Sequence, residues 1–166
     1  MKLADVPSGT RVFLDANILI YAFTSEPTFG SPCIDFLERI EQRDIEGVFS
    51  ATLLSEVAHR MMTLEACQTF GWNYAGIARQ LRRHPTELAT LIRYRQVLDE
   101  IMALGIDILP ITSMDVIAAA DVSQQLGFLS GDALIIAMMQ SQNIRHLASN
   151  DSDFDRIPGI VRCSPI

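Results

Sequence analysis

The chain has 166 residues, of which 49% are hydrophobic, so it can form one domain around a sizeable core. Its formal net charge of −7 argues against a protein that holds nucleic acid through a broad basic surface, but permits an enzyme whose metal ions neutralise its acids. Lys2 is the only lysine, which excludes mechanisms that need a lysine inside the fold.

The cysteines, histidines and apolar runs argue against zinc-binding, secreted and membrane-spanning proteins. Cys33, Cys67 and Cys163 stand far apart, and the histidines form no pair at zinc-ligand spacing, so we expect a reduced protein without a zinc site. The apolar runs are too short to span a bilayer, and the N-terminus lacks the apolar core of a signal peptide. We therefore expect a cytoplasmic protein with no membrane partner.

The first part of the chain predicts two short buried strands, each followed by helix. The strands are Val12-Phe13-Leu14 and Val48-Phe49. The predicted helices begin at about Asn17, span 32–43 with Ile34, Leu37 and Ile40 on one stripe, and span 52–63 with Leu54, Val57, Ala58 and Met61 inward. The alternation of strand and helix is typical of an α/β fold.

The segment 65–105 carries little strand signal. Phe70-Gly71-Trp72 and Gly76 interrupt it, and His84-Pro85 predicts the start of a helix that continues to Gly105. We interpret this segment as a helical insertion within a single domain that covers residues 1–166.

In the last third of the chain, predicted strands and helices alternate again. We predict strands over 106–111, 146–148 and 160–161, and helices over 113–126 and 132–142, the first of them opened by a capping box from Thr112 to Asp115. Strands separated by helices predict a central parallel sheet covered on both faces, in a three-layer α/β/α arrangement. Sites in such folds lie beyond the carboxyl ends of the strands.

Four acidic features lie at or near that edge. Asp15 follows the first strand, Glu56 lies early in an apolar helix, Asp132 begins an almost wholly apolar helix, and Asp151 and Asp153 follow the fourth strand. Each has a structural interpretation when taken alone. Asp15 and Asp132 suit helix caps, Glu56 suits a solvated position, and Asp151 and Asp153 suit a polar turn.

Taken together, these acids predict a metal site. Clustered carboxylates suit Mg²⁺ or Mn²⁺, and a metal held in this way supports hydrolysis of a phosphate ester. A receiver-type signalling domain and a haloacid-dehalogenase-like phosphatase also gather acids at strand ends. Both need a lysine that this chain lacks, and the phosphatase also needs a second Asp where Asn17 stands.

The order and spacing of four short motifs resemble a PIN domain, in particular VapC-type toxin ribonucleases. The motifs are Val12 to Tyr21, Ser55-Glu56-Val57, Gly131 to Ala137, and Leu147 to Phe154. The resemblance implies a PIN-like fold, RNA as substrate, a small antitoxin partner and frequent homodimers. It implies catalytic roles for Asp15, Glu56, Asp132 and Asp151, metal binding by Asp15, Asp132, Asp151 and Asp153, and support from Asn17 and Ser149.

Two alternatives stay open beside the toxin. One is a housekeeping RNA-processing PIN nuclease, and the other is a non-catalytic PIN-like module that binds RNA or protein. The sequence also offers a basic surface that comprises Arg79, Arg82, Arg83, His84, Arg93 and Arg95, with Trp72 or Tyr94 available to stack on a base. We prefer to interpret this surface as a solvated helix face.

Overall fold

The computed structural model of the chain describes residues 1–166 and contains five short strands and eight α-helices. The strands are β1 (Arg11–Leu14), β2 (Glu46–Ser50), β3 (Asp107–Leu109), β4 (His146–Ala148) and β5 (Val161–Cys163). The helices are α1 (Ala16–Thr24), α2 (Gly30–Glu41), α3 (Ala51–Phe70), α4 (Ile77–Arg83), α5 (Pro85–Leu88), α6 (Arg93–Ala103), α7 (Ser113–Leu126) and α8 (Ser130–Ser141). Short 3₁₀ turns occupy Leu3–Asp5 and Ser152–Arg156.

All five strands are parallel and lie in the order β3-β2-β1-β4-β5. The central strand β1 pairs Phe13 with Val48 of β2 on one side and with Leu147 of β4 on the other. Its three apolar residues are fully buried because helices cover both faces of the sheet. The predicted three-layer α/β/α fold with a central parallel sheet is therefore confirmed.

The apolar side chains form two clusters of unequal size. The larger contains 37 buried residues from the sheet and the helices that cover it. The smaller contains Ala66, Ile77, Leu81 and Leu91, and it joins the end of α3 to α4 and to the residues before α6. The segment 65–105 is thus packed around a small apolar cluster of its own.

The prediction of one continuous helix from Pro85 to Gly105 is wrong. Helix α5 ends at Leu88, and α6 begins only at Arg93. The carboxylate of Glu65 on α3 accepts hydrogen bonds from the backbone N–H groups of Ile92, Arg93 and Tyr94, at 2.8, 2.9 and 2.9 Å. Because Glu65 binds these N–H groups, they need no partners within a preceding turn, and a new helix starts there.

Several helix faces and boundaries also differ from the predictions. Ile34 is 37% exposed, and the buried stripe of α2 is formed by Cys33, Phe36, Leu37 and Ile40. Helix α3 continues to Phe70 instead of ending at 63, and Leu53 is buried more deeply than Leu54. Strand β5 starts at Val161 rather than at Ile160. Each difference is a shift of helix phase or element end, where tertiary packing outweighs local propensity.

Other signals in the sequence are confirmed. Thr112 and Asp115 form the predicted reciprocal capping box, and α7 ends at Gly127, whose φ of 70° is favourable for glycine. No single helix is long and apolar enough to span a membrane. Helices α7 and α8 meet that test only as a pair, and they bend by 110° between them.

We expect Glu65→Ala to lower the free energy of unfolding by about 1–2 kcal/mol, because three N–H groups at the start of α6 lose their acceptor. Urea denaturation measures this change. Glu100→Ala is the matched control, since Glu100 is also helical but only forms a surface pair with Arg93. Equal effects of the two substitutions would contradict the assigned role of Glu65.

Candidate functional site

The carboxyl ends of β1 and β4 lie side by side and carry the candidate site. Leu14 pairs with Ala148, and the backbone N–H of Asp15 donates to the carbonyl oxygen of Ala148 at 2.9 Å. Asp15 therefore follows one strand directly, while Ser149 follows its neighbour. The sheet thus joins two motifs that are separated by more than 130 residues in the sequence.

Three polar side chains are linked around Asp15. Its Oδ2 atom accepts hydrogen bonds from Asn17 Nδ2 at 2.6 Å and from Ser149 Oγ at 2.7 Å. Ser149 is fully buried, and its hydroxyl oxygen also accepts the backbone N–H of Asp151 at 3.0 Å. Asn17 and Ser149 therefore fix one carboxylate oxygen of Asp15 and leave the other without a hydrogen bond from these two residues.

Asp15 occupies the N-cap position that the sequence predicts, whereas the interpretation of Asp132 as a helix cap is wrong. Asp15 occupies the residue before α1, but its side chain makes no capping hydrogen bond. Asp132 is the third residue of α8, and the residue before this helix is Leu129. Both carboxylates therefore lie close to positive helix N-termini.

Glu56, Asp151 and Asp153 are more exposed than Asp15 and Asp132. Glu56 lies on the exposed side of α3, as its solvated interpretation requires. Asp151 accepts the backbone N–H of Asp153 through Oδ1 at 2.9 Å, and so it also caps the 3₁₀ turn. Asp151 can therefore both form the polar turn that its structural interpretation requires and lie near the other acids.

The acids are close enough to affect one another. Burial raises the pKa of Asp15 to about 6, against the lowering effect of the Ser149 hydrogen bond, and the charges of Glu56 and Asp132 raise it further. Burial also raises the pKa of Asp132, followed by the charges of Asp151, Glu56 and Asp153. Ionisation of Asp15 and Asp132 is thus disfavoured, first by burial and then by the charges of the acids around them.

The donor set fits a hard divalent cation. The side chains are carboxylates, with no cysteine or histidine near enough to complete a zinc site. As the side chains stand, no three acids converge at the spacing that a shared ion needs. Mg²⁺ commonly binds through one or two carboxylates and retains several waters, so a Mg²⁺ site does not require three convergent acids.

Sequence reasoning missed two residues that support this edge. The backbone N–H of Asn150 donates to Asn17 Oδ1 at 3.4 Å, which ties the end of β4 to α1. Arg162 binds both carboxylate oxygens of Asp155 at 2.8 Å and donates to the carbonyl of Ser149 at 3.3 Å. Asp155 is thereby directed away from the cluster. The position of Asn150 between Ser149 and Asp151 was the one available signal.

The predicted basic surface divides into two parts. Arg93 pairs with Glu100, and Arg95 pairs with Asp99 on the same helix. Arg79, Arg82 and Arg83 are exposed on α4 and form no ion pair. The ring of His84 lies 5.0 Å from that of Trp72, so neither ring is free of protein contacts. Exposure on short helices agrees with the preferred interpretation of a solvated face.

We expect Asp15→Asn to stabilise the protein above pH 6 when a chelator keeps metal away. The unfolded chain loses the Asp15 proton near pH 4 and the folded chain near pH 6, so folding is progressively penalised as pH rises between these values. The gain should approach at most about 3 kcal/mol at high pH and vanish near pH 4. Thermal melts at several pH values measure it.

Asp121→Asn, on the exposed side of α7, controls for the substitution itself. A loss of stability in Asp15→Asn that is equal at all pH values would contradict the electrostatic cost assigned to Asp15.

Comparison with known proteins identifies the family and the fold. The family model of the PIN domain matches residues 12–160, whereas no curated protein matches the sequence. The fold is similar to VapBC2 from Rickettsia felis bound to a promoter DNA fragment, with TM-score 0.61 and 16% identity over 93% of this chain and 98% of that chain.

Two other solved structures share the fold. A toxin-antitoxin complex from Klebsiella pneumoniae has TM-score 0.58 and 21% identity, over 93% of this chain and 98% of that chain. DNA-bound VapBC from Salmonella typhimurium has TM-score 0.59 and 15% identity, over 95% and 99%. Because the family model spans most of the sequence and the acidic edge follows its strands, the chain belongs to the PIN-domain family, a family of nucleases.

Proposed function

We propose that this chain is a metal-dependent endoribonuclease that hydrolyses RNA phosphodiester bonds. The observation that carries the proposal is the carboxylate of Asp15, held by Asn17 and Ser149 where burial, and to a smaller extent the neighbouring acids, make negative charge costly. A protein gains little stability from such a cluster. A divalent cation bound to the cluster would compensate its negative charge and would attract a phosphate group.

We assign distinct roles to the acids. Asp15, Asp132 and Asp151 would hold Mg²⁺ or Mn²⁺, with Asp153 as an added or alternative ligand. The bound ion would supply charge stabilisation to the phosphate and lower the pKa of water. Glu56 would accept the proton of the attacking water on its exposed carboxylate.

We further propose that the chain is the toxin of a toxin–antitoxin pair. The support is the shared fold of three structures whose proteins are toxin–antitoxin complexes. A small antitoxin would then be the protein partner, and both would act in the cytoplasm, where RNA is present. We also retain the organisation as one domain over 1–166, with 65–105 as a helical insertion.

An apolar surface on α7 supports the proposal of a homodimer. Met114, Val116 and Ile117 are 68, 55 and 56% exposed. Val116 also lines a groove of about 610 Å³ between α7 and α8, together with Ile111 and Leu134. Exposed apolar side chains of this kind suit a self-complementary contact between two copies.

We expect purified protein to cleave single-stranded RNA with Mg²⁺ or Mn²⁺ and to stop in excess chelator. Asp15→Asn and Asp132→Asn should each lower the cleavage rate roughly 100-fold or more, equivalent to about 3 kcal/mol of transition-state stabilisation. Gel electrophoresis of end-labelled RNA measures the rate.

Asp121→Asn is the matched control, because Asp121 is an exposed carboxylate on α7 that forms no ion pair. It should remain within about twofold of the parent rate, equivalent to less than 0.5 kcal/mol. Cleavage that survives chelation, or persists in both cluster variants, would refute the proposed mechanism.

We expect Ile117→Glu to convert the proposed dimer to a monomer, because a carboxylate would have to be buried in an apolar contact. Light scattering after size-exclusion chromatography reports the mass. Gln140→Glu, an exposed change on α8 with the same added charge, should leave the mass unchanged. A parent protein that is already monomeric at high concentration would exclude this dimer.

A further inference from the structure

A pocket of about 290 Å³ opens beside the acidic edge. Asn17, Ile20 and Tyr21 of α1 form one wall, and Arg60 and Leu64 of α3, with Tyr74, form the other. Asn17 belongs both to this pocket and to the site, since its Nδ2 atom lies 2.6 Å from Asp15 Oδ2. An occupant of the pocket is therefore adjacent to whatever binds at Asp15.

The pocket combines aromatic rings, apolar walls and hydrogen-bond donors. Tyr74 is 49% exposed, and its hydroxyl accepts a hydrogen bond from Arg60, which ties the loop after α3 to the pocket. Tyr21 is braced by Phe29, with ring centroids 5.0 Å apart, and its hydroxyl lies 3.5 Å from Asn150 Nδ2. Rings held in this way offer flat surfaces for stacking, while the Arg60 guanidinium offers donors.

Positive charge without an ion-pair partner is concentrated in the same part of the chain. Arg60 lines the pocket, and Arg79, Arg82 and Arg83 follow on α4, which begins three residues after Tyr74. None of these four arginines forms an ion pair, and they are four of the seven arginines in the chain that form none. In a protein with net charge −7, a segment with four such arginines is suited to a polyanion.

We propose that the pocket binds one unpaired base of the RNA, from the nucleotide next to the scissile phosphate. This inference rests on the proposed ribonuclease activity. A base and its own phosphate are covalently joined, so one nucleotide can fill the pocket and reach the acidic cluster past Asn17. Stacking on tyrosine and donation from arginine are common means of holding splayed single-stranded bases.

The size of the pocket adds a restriction on the substrate. A volume of about 290 Å³ is at the lower end for small-molecule pockets, which suits a single planar base. A base within a duplex is stacked and paired, and it cannot enter without being extruded. The pocket therefore directs the enzyme to single-stranded RNA, with Tyr74 and Arg60 as specificity-determining residues.

Binding to two oligomers tests this proposal independently of cleavage. The probes are fluorescein-labelled hexauridylate and a ribose-phosphate hexamer of the same length without bases, both measured by fluorescence anisotropy. The protein carries Asp132→Asn so that the RNA stays intact, which gel electrophoresis verifies. Tyr74→Ala, Tyr74→Phe and Arg60→Gln are compared in this background, with Arg145→Gln as control, because Arg145 is exposed at the opposite edge of the sheet.

We expect Tyr74→Ala to weaken hexauridylate binding by about 5-fold to 100-fold, since stacking contributes about 1–3 kcal/mol per base. It should leave binding of the abasic hexamer unchanged. Tyr74→Phe keeps the ring and should bind RNA nearly as the parent does. Arg60→Gln should weaken RNA binding more than Arg145→Gln, although both remove one positive charge.

Equal weakening of both oligomers by Tyr74→Ala, or no weakening of either, would overturn the proposal. Loss of antitoxin binding in Tyr74→Ala without loss of RNA binding would also overturn it and would assign the pocket to a peptide side chain. Failure of the nuclease proposal has a different signature, because wild-type protein would then leave RNA uncut while Tyr74 still distinguished the two oligomers.

Discussion

The half-buried carboxylate of Asp15 is the constraint around which the acidic edge is arranged. One of its oxygens is held by Asn17 and Ser149, and burial raises its pKa to about 6. A charge in such a place lowers the stability of the protein unless something compensates it. The arrangement persists because Ser149 is fully buried in the adjoining strand end and cannot move without disturbing the sheet. Rigid strands thus maintain an unfavourable charge where a cation would be bound.

The sheet order explains why this constraint involves distant parts of the sequence. Strand β1 lies at the centre, with β4 as its direct neighbour, so the first and last motifs meet through the pairing of Leu14 with Ala148. The flanking helices bring the remaining acids to the same place. Asp132 comes in the first turn of α8, and Glu56 comes from α3. The carboxyl edge of a parallel sheet is where such loops and helix starts collect.

The segment 65–105 is organised by a separate interaction. Glu65 binds the first N–H groups of α6, and a small apolar cluster joins α3, α4 and the residues before α6. These contacts hold the loop that carries Tyr74 close to Arg60, beside the acidic edge. The segment therefore contributes to the surroundings of the site as well as to the length of the chain. Its unpaired arginines also give an acidic protein a local surface of positive charge.

The sequence by itself determined the type of fold and the identity of the acids. Buried strands such as Val12-Phe13-Leu14, separated by amphipathic helices, are sufficient to predict a parallel sheet, because side-chain pattern reports local burial directly. The capping box at Thr112 and the end of α7 at Gly127 could also be predicted, since both depend on neighbouring residues only. Predictions from neighbouring residues were wrong for the buried side chain expected at Ile34 and for the continuous helix expected through Arg93.

Only the tertiary structure decided those points, because they depend on partners far away in the chain. The phase of α2 is set by the core against which Phe36 packs, and the start of α6 is set by a carboxylate 27 residues earlier. The acidic edge follows the same rule. Local sequence suggested caps at Asp15 and Asp132, whereas contact with Ser149 and the charges of neighbouring acids gave these carboxylates their environment. Hydrogen bonding across strands and mutual repulsion require proximity in space, which only the folded sheet provides.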